Sequence, residues 1–189
     1  MNRVRRLKTN IINNIAAGEI IESPSSVVKE LIENSIDANS NKITVIVEDY
    51  GLKNIVVKDD GFGMPKEDFK LAFNRHTTSK ISSKIDLQRI KTLGFRGEAL
   101  PSIASVSMLS ALSKNKTNNA HEIKIHAGEL KSFKEGVCNK GTSIKVENLF
   151  YNLPARKKFL KNGKKELNKI TDVVKSYALC YPSITFKYS

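Results

Sequence analysis

The sequence predicts an α+β fold, a two-layer α/β sandwich, from three observations. Helical and strand patterns are mixed along the chain and do not alternate strictly. Two β-branched runs sit close enough to form a hairpin, and an amphipathic helix with its own start signal precedes them.

Ser23 and Pro24 open that first helix. Serine is an oxygen acceptor at the N-cap, and proline fits the first helical position, where its missing N–H costs nothing. The helix is expected to run to about Ala38. KITVIVED (42–49) and KNIVVKD (53–59) then read as strands joined through Tyr50 and Gly51. DDGFGM forms a glycine-rich loop, and Pro65, Glu67 and Asp68 open a second helix with Phe69, Ala72 and Phe73 on one face. HTTSKISSK (76–84) reads as a mobile polar loop. A short helix with Leu87, Ile90 and Leu93 leads to GFRGEAL (94–100), followed by a helix over SIASV. Strands are expected at 106–113, 121–127, 129–134 and 142–147. A Lys-rich helical region runs from Pro154 to about Leu179, and SITFKYS closes the chain as a last strand.

At 189 residues the chain has the length of one domain with a proper core, so residues 1–189 are expected to form a single domain. No run approaches the ~18 apolar residues of a membrane span, and Asn10, Asn13, Asn14 and Glu19 interrupt any signal-peptide apolar region. The expectation is a cytoplasmic protein with no membrane partner. Cys138 and Cys180 lack the spacing of a zinc site or a disulfide framework and read as ordinary thiols. The formal charge of +13, from 32 Lys and Arg against 19 Asp and Glu, favours polyanionic partners or a Lys-rich solvated surface.

KELIENSIDA (29–38) places acidic groups in the middle of the first helix. At 100° per residue, Val27, Val28, Leu31, Ile32 and Ile36 form the apolar face, with Lys29 and Glu33 away from it. Glu30, Asn34 and Asp37 fall together on its shoulder. A carboxylate there must be hydrogen-bonded, paired or solvated in a cleft. Two readings stay open at this point: caps and ion pairs, or a cleft wall that orients a water and holds a hard cation such as Mg²⁺. DDGFG is by itself a tight turn or a place of close ligand approach, and GFRGEAL a turn or a phosphate cradle.

ENSIDA, DDGFG, TTSK, GFRGEAL and GTSIKV, in this order, resemble the nucleotide-binding motifs of the ATPase superfamily that joins gyrase, the ninety-kilodalton heat-shock chaperone, histidine kinases and MutL mismatch-repair proteins. No GxxxxGK[ST] is present, which excludes a P-loop. IAAGEII, SVVKELIENSIDA, RHTTSK, LGFRGEAL and LFYNLPARKKFL are similar to the MutL family in particular, across about residues 11 to 160. The resemblance implies a Bergerat-type fold with a mixed, mostly antiparallel sheet and helices on one face. It implies a Mg²⁺-dependent ATPase with ATP as cofactor and slow turnover, in which nucleotide orders loops and drives homodimerisation.

Residue by residue, the resemblance makes Glu30 the group that orients the attacking water and Asn34 the Mg²⁺ ligand. Asp59 would accept from the adenine amino group, with Gly61, Gly63, Met64 and Thr142 around the base, and Asp37 and Ala38 complete the first motif. Thr78, Ser79 and Lys80 belong to the segment that orders over ATP. Leu93, Gly94, Phe95, Arg96, Gly97, Glu98, Ala99 and Leu100 would lie along the triphosphate. The implied partners are a second subunit, a mismatch-recognition protein of the MutS type and the DNA backbone. The implied location is the bacterial cytoplasm, at the nucleoid. A second (transducer) domain and a C-terminal dimerisation domain are expected beyond this region. The chain departs from the family in reading Asp59-Asp60-Gly61 where Asp-Asn-Gly is commoner.

PARKKFLKNGKKELNK collects seven cations against Glu166. It reads as a solvated helix face or, with Arg156, Lys157, Lys158 and Lys161, as a sequence-independent DNA-backbone contact. His76 reads as a hydrogen-bonded structural histidine in preference to a phosphate contact, and Phe150 and Tyr151 as core in preference to base-stacking residues. The competing reading of the chain is a docking module for DNA and protein without hydrolysis, and a gyrase-like ATPase is the other alternative.

Overall fold

The structure is a computed structural model and describes residues 17–80, 92–94, 96–117, 119–160 and 162–189. Helix α1 (Pro24–Asp37) starts where expected: Ser23 is extended, its hydroxyl accepts from the Ser26 N–H, and Pro24 takes the first helical position. Ala38 closes the helix. Val27, Val28, Leu31 and Ile32 are essentially inaccessible. Each such side chain contributes roughly 1.5–3 kcal/mol of transfer free energy, which is what fixes α1 to the sheet.

Strands β1 (Lys42–Glu48) and β2 (Asn54–Asp59) form the expected hairpin. They join β3 (Met108–Lys114), β4 (His121–His126), β5 (Glu129–Glu135), β6 (Gly141–Glu147) and β7 (Thr185–Tyr188) in one seven-stranded sheet of order β5-β4-β3-β6-β2-β1-β7. All pairings are antiparallel except that of β1 with β7. Alternate residues, among them Val45, Val57, Leu109, Ile123 and Val146, are buried beneath the helices, and their neighbours on the opposite face stay accessible. A period of two with one covered face is what a two-layer sandwich requires. Strand β3 begins two residues later than expected. Val106 and Ser107 close the preceding helix, the Ser107 hydroxyl donating to the Ile103 carbonyl at 2.7 Å.

Helices α2 (Lys66–Leu71) and α3 (Ala99–Ser105) follow the two glycine-rich loops. Phe69 is buried and meets Phe73 edge-on at 5.8 Å, as the pattern of that segment implies. The Lys-rich region is not one helix but two, α4 (Pro154–Phe159) and α5 (Gly163–Cys180). The Asn162 side chain accepts from the Lys165 N–H and starts α5 afresh. Phe150 lies in the core as expected, but Tyr151 is 38% exposed, one residue past the buried turn. Cys138 and Cys180 are free thiols. The expected helix around Leu87 and Ile90, and the site positions Phe95 and Lys161, lie outside the described residues.

The periodicity of α1 places Glu33 away from the apolar face, and the structure corrects this. Glu33 is buried because α5 packs along that side of α1. The Tyr177 hydroxyl donates to Glu33 Oε1, and Lys29 Nζ lies 3.5 Å from the same oxygen. Burial and the adjoining carboxylate push the Tyr177 phenol well above its usual range, so it stays a donor. Tyr177→Phe leaves a buried carboxylate oxygen without that donor and is expected to destabilise the chain by about 1–3 kcal/mol. Urea unfolding with an unchanged slope and a lowered midpoint is the expected result.

Candidate functional site

Asp59 ends β2 beneath α1 and is only 9% exposed. Its Oδ1 accepts from the backbone N–H groups of Gly61 at 2.9 Å and Thr142 at 3.1 Å. Its Oδ2 lies 3.1 Å from the Ser35 hydroxyl. The Ser35 hydroxyl has one hydrogen and also faces the Leu31 carbonyl at 3.0 Å, so a carboxylate with roughly four lone-pair positions keeps at least one free to accept. Burial raises its pKa, and the bonds from Gly61, Thr142 and Ser35 oppose the rise. Ser113 supports the same corner: its hydroxyl accepts from the Met64 N–H at 2.9 Å and lies 3.0 Å from the Thr142 hydroxyl.

Two glycines make this packing possible. Gly63 has φ +66°, and a Cβ there would stand 2.0 Å from the Lys114 carbonyl oxygen. Gly141 has φ +120°, and its Cβ would stand 2.1 Å from the Asp59 carbonyl oxygen. A side chain at either position meets both backbone strain and a hard clash. Gly61 lies against Ala38, whose carbonyl accepts from the Phe62 N–H at 2.9 Å. Asp60, the departure from the family pattern, turns away from this corner. Its Oδ1 accepts from Asn41 and Lys42 N–H at 2.8 and 2.9 Å and so ties the α1–β1 turn.

The polar shoulder of α1 forms the second half of the site. Asp37 accepts from three directions: Leu93 N–H at 3.0 Å, Gly94 N–H at 3.1 Å and Lys80 Nζ at 2.6 Å. The same ammonium lies 3.1 Å from Asn34 Oδ1. Glu30 sits one turn earlier with a quarter of its side chain exposed and Lys29 Nζ at 4.0 Å. Burial and the Glu33 charge raise its pKa, while Lys29, Lys80 and Arg96 act against them.

Residues 75–80 and the 96–100 segment are tied to each other. Glu98 lies 3.4 Å from Arg75 and 2.7 Å from His76 Nδ1. Gly97, with φ +64°, presses on the Thr77 carbonyl so closely that a Cβ would stand 2.2 Å from it. Thr78 Oγ1 accepts from the Lys80 N–H at 3.1 Å. Ser79 and Arg96 are exposed, and Ala99 and Leu100 begin α3 half-buried. Both Glu98 oxygens are buried without a hydrogen-bond partner, so Arg75 and His76, its cationic or ionisable neighbours, are what offsets the charge of its carboxylate.

The structure therefore brings Glu30, Asn34, Asp37, Lys80, Leu93 and Gly94 together, and separately Asp59, Gly61, Gly63, Met64 and Thr142. Ser35 joins the two groups because it stands on α1 and touches Asp59. The Arg156 contact with DNA is corrected. Its guanidinium points inward, donating to the Gly18 and Ile21 carbonyls at 2.8 Å each and lying over the Phe150 ring. Lys157 and Lys158 are exposed. Sequence reasoning missed Ser35, Ser113 and Arg75. An inward polar residue on the alternating strand Leu109-Ala111-Ser113 was the available signal for one of them.

A nucleotide-borne Mg²⁺ keeps most of its shell as water and phosphate oxygens and needs only one or two protein oxygens. Asn34 fits that need, because the oxygen end of its amide already faces a cation. Among the described residues no cluster of three His, Cys, Asp or Glu competes for a metal ion.

Residues 21–155 match the family described as histidine kinase-, DNA gyrase B- and HSP90-like ATPase. A DNA mismatch repair protein MutL of Dictyoglomus turgidum is 54% identical over 99% of this chain and 33% of its own length. That of Thermodesulfovibrio yellowstonii is 49% identical over 98% of the chain and 34% of its own length. The chain thus spans about a third of these curated relatives. The solved Aquifex aeolicus MutL ATPase domain complexed with ADP superposes with a TM-score of 0.72 at 34% identity, covering 89% of this chain and 60% of that one. The chain belongs to the histidine kinase-, DNA gyrase B- and HSP90-like ATPase family, and within it is similar to these MutL proteins.

Proposed function

We propose that the chain binds MgATP between α1 and the glycine-rich loops, and that the protein carrying it hydrolyses ATP slowly as a switch in DNA mismatch repair. The observation that carries this reading is Asp59, a buried carboxylate with an acceptor position left, at a corner whose close backbone packing Gly61, Gly63 and Gly141 permit. That position suits the adenine amino group, with Met64 beside the base and Thr142 completing the contact. The ADP held by the Aquifex relative supports a nucleotide of this class on the same fold.

Asn34 would hold the metal ion, which would supply charge neutralisation of the phosphates. Glu30 accepts a proton from the attacking water, and its raised pKa makes it a better base than an exposed glutamate. Backbone N–H groups between Gly97 and Leu100 face the phosphates, while those of Leu93 and Gly94 stay on Asp37. Thr78, Ser79 and Lys80 order over them, which creates the surface for a second subunit. The greater length of the relatives supports one domain of a longer protein, with further domains proposed to supply dimerisation and contact with a mismatch-recognition partner of the MutS type. A docking module without hydrolysis has no use for a desolvated carboxylate at Glu30.

Lys157, Lys158 and Lys161 are proposed to touch the DNA backbone without reading sequence. Lys157→Ala is expected to lower the salt slope of DNA binding by about 1 unit. Arg156→Ala is expected instead to lower stability, because two carbonyl bonds are lost.

Asp59→Ala is expected to abolish MgATP binding measured by titration calorimetry on the folded chain. Glu30→Gln is expected to keep binding but lose roughly 10²–10⁴-fold in hydrolysis by the full-length protein. Loss of binding in both variants, or in neither, contradicts these roles. The pH profile follows from the same carboxylate. Protonated Glu30 cannot accept, so turnover is expected to fall as pH drops through its raised pKa, with a midpoint above 4.5. In Glu30→Gln that limb disappears.

A further inference from the structure

Lys80 reaches α1 from a segment that belongs, by sequence, to the loop over the phosphates, and it places its ammonium where positive charge is expected only with nucleotide. Nζ lies 2.6 Å from Asp37 Oδ2 and 3.1 Å from Asn34 Oδ1. The Lys80 side chain is 20% exposed and that of Asp37 8%, so this is a sheltered ion pair with little solvent screening. Gly94 makes room for it: a Cβ at that position would stand 3.2 Å from Nζ and 3.7 Å from Asn34 Oδ1. Asp37 is held independently of the lysine, since the N–H groups of Leu93 and Gly94 also bind its two oxygens.

We infer that Lys80 is a placeholder cation: its ammonium occupies the position beside Asn34 until MgATP enters, and Asp37 is the positioning residue on which it is parked. The inference rests on the assignment of Asn34 as metal ligand. A metal ion and an ammonium cannot share one amide oxygen at contact distance, because like charges repel strongly in a site shielded from water. In the absence of nucleotide the lysine therefore keeps free metal out and leaves the oxygen of Asn34 satisfied. When metal arrives with phosphate, the ammonium is displaced and is released toward the phosphates. The remaining bonds of Asp37 to Leu93 and Gly94 hold the glycine loop in place during the exchange. The same side chain thereby couples metal entry to movement of the 76–80 segment.

The test uses Mn²⁺ alone, read by electron paramagnetic resonance, on the wild-type chain, Lys80→Met and Lys80→Met/Asn34→Ala. Methionine keeps the apolar stem and removes the charge. The expected result is a Mn²⁺ site in Lys80→Met at least about tenfold tighter than in the wild type, and its loss in the double variant. Equal Mn²⁺ affinity in wild type and Lys80→Met overturns the placeholder, as does a gain that survives Asn34→Ala. ATP titration of the same samples separates this failure from failure of the underlying reading. If the wild type binds ATP normally while Mn²⁺ affinity is unchanged, the placeholder alone falls. If no folded sample binds ATP, the nucleotide site falls and the placeholder with it. Circular dichroism and unfolding midpoints establish that each variant is folded, and Lys80→Arg, which retains a cation, is expected to keep the low Mn²⁺ affinity of the wild type.

Discussion

A carboxylate under a helix must find donors there or be protonated, and Asp59 finds three, from α1, from its own loop and from β6. That requirement organises much of the fold around it. Helix α1 has to present Ser35 toward β2, and β6 has to bring Thr142 alongside, which the antiparallel β2–β6 pairing does. The loop after Asp59 has to turn back at once so that Gly61 can donate. Gly63 and Gly141 permit approaches that no side chain tolerates. The result is a tightly packed, desolvated corner whose carboxylate keeps an acceptor position, the feature on which the proposed nucleotide contact rests.

Helix α1 serves the core and the site with different faces of the same turns. Val28, Leu31 and Ile32 anchor it, and Glu30, Asn34 and Asp37 stand together on the shoulder beside them. A third side is covered by α5 through the bond between Tyr177 and Glu33. Rigid anchoring of this kind keeps the Glu30 carboxylate and the Asn34 amide at a fixed separation, as preorganised polar groups require. The segment that carries Lys80 is attached differently, by an ion pair and the Glu98 contacts to Arg75 and His76, which are bonds that can be exchanged for others.

Features encoded by neighbours in sequence were legible before the structure. The Ser23-Pro24 start, the β1–β2 hairpin, the shoulder position of Glu30, Asn34 and Asp37, and the Asp59 loop all follow from local spacing or motif. What escaped depends on partners far along the chain. Glu33 looks solvent-facing on a helical wheel and is buried only because Tyr177 comes from the last helix. Arg156 looks like one more cation in a basic run, and its inward turn depends on two carbonyls near residue 20. Ser35 and Ser113 are small polar residues whose roles appear only once the strands and α1 are superimposed on one corner. The placement of Asp60 was legible in neither its loop nor its charge, since its acceptors' donors belong to the turn after α1.

In the proposed function the corner around Asp59 receives the nucleotide base while the α1 shoulder receives the phosphates. Amide proton and nitrogen shifts of the isotope-labelled chain, followed during titration with MgADP, test it most directly. Saturable shifts are expected that are largest at Gly61, Gly63 and Thr142, accompanied by Gly94 and Gly97, and absent from α4. Saturating shifts confined to α4 and the accessible face of the sheet, with Gly61 and Thr142 unmoved, would contradict it.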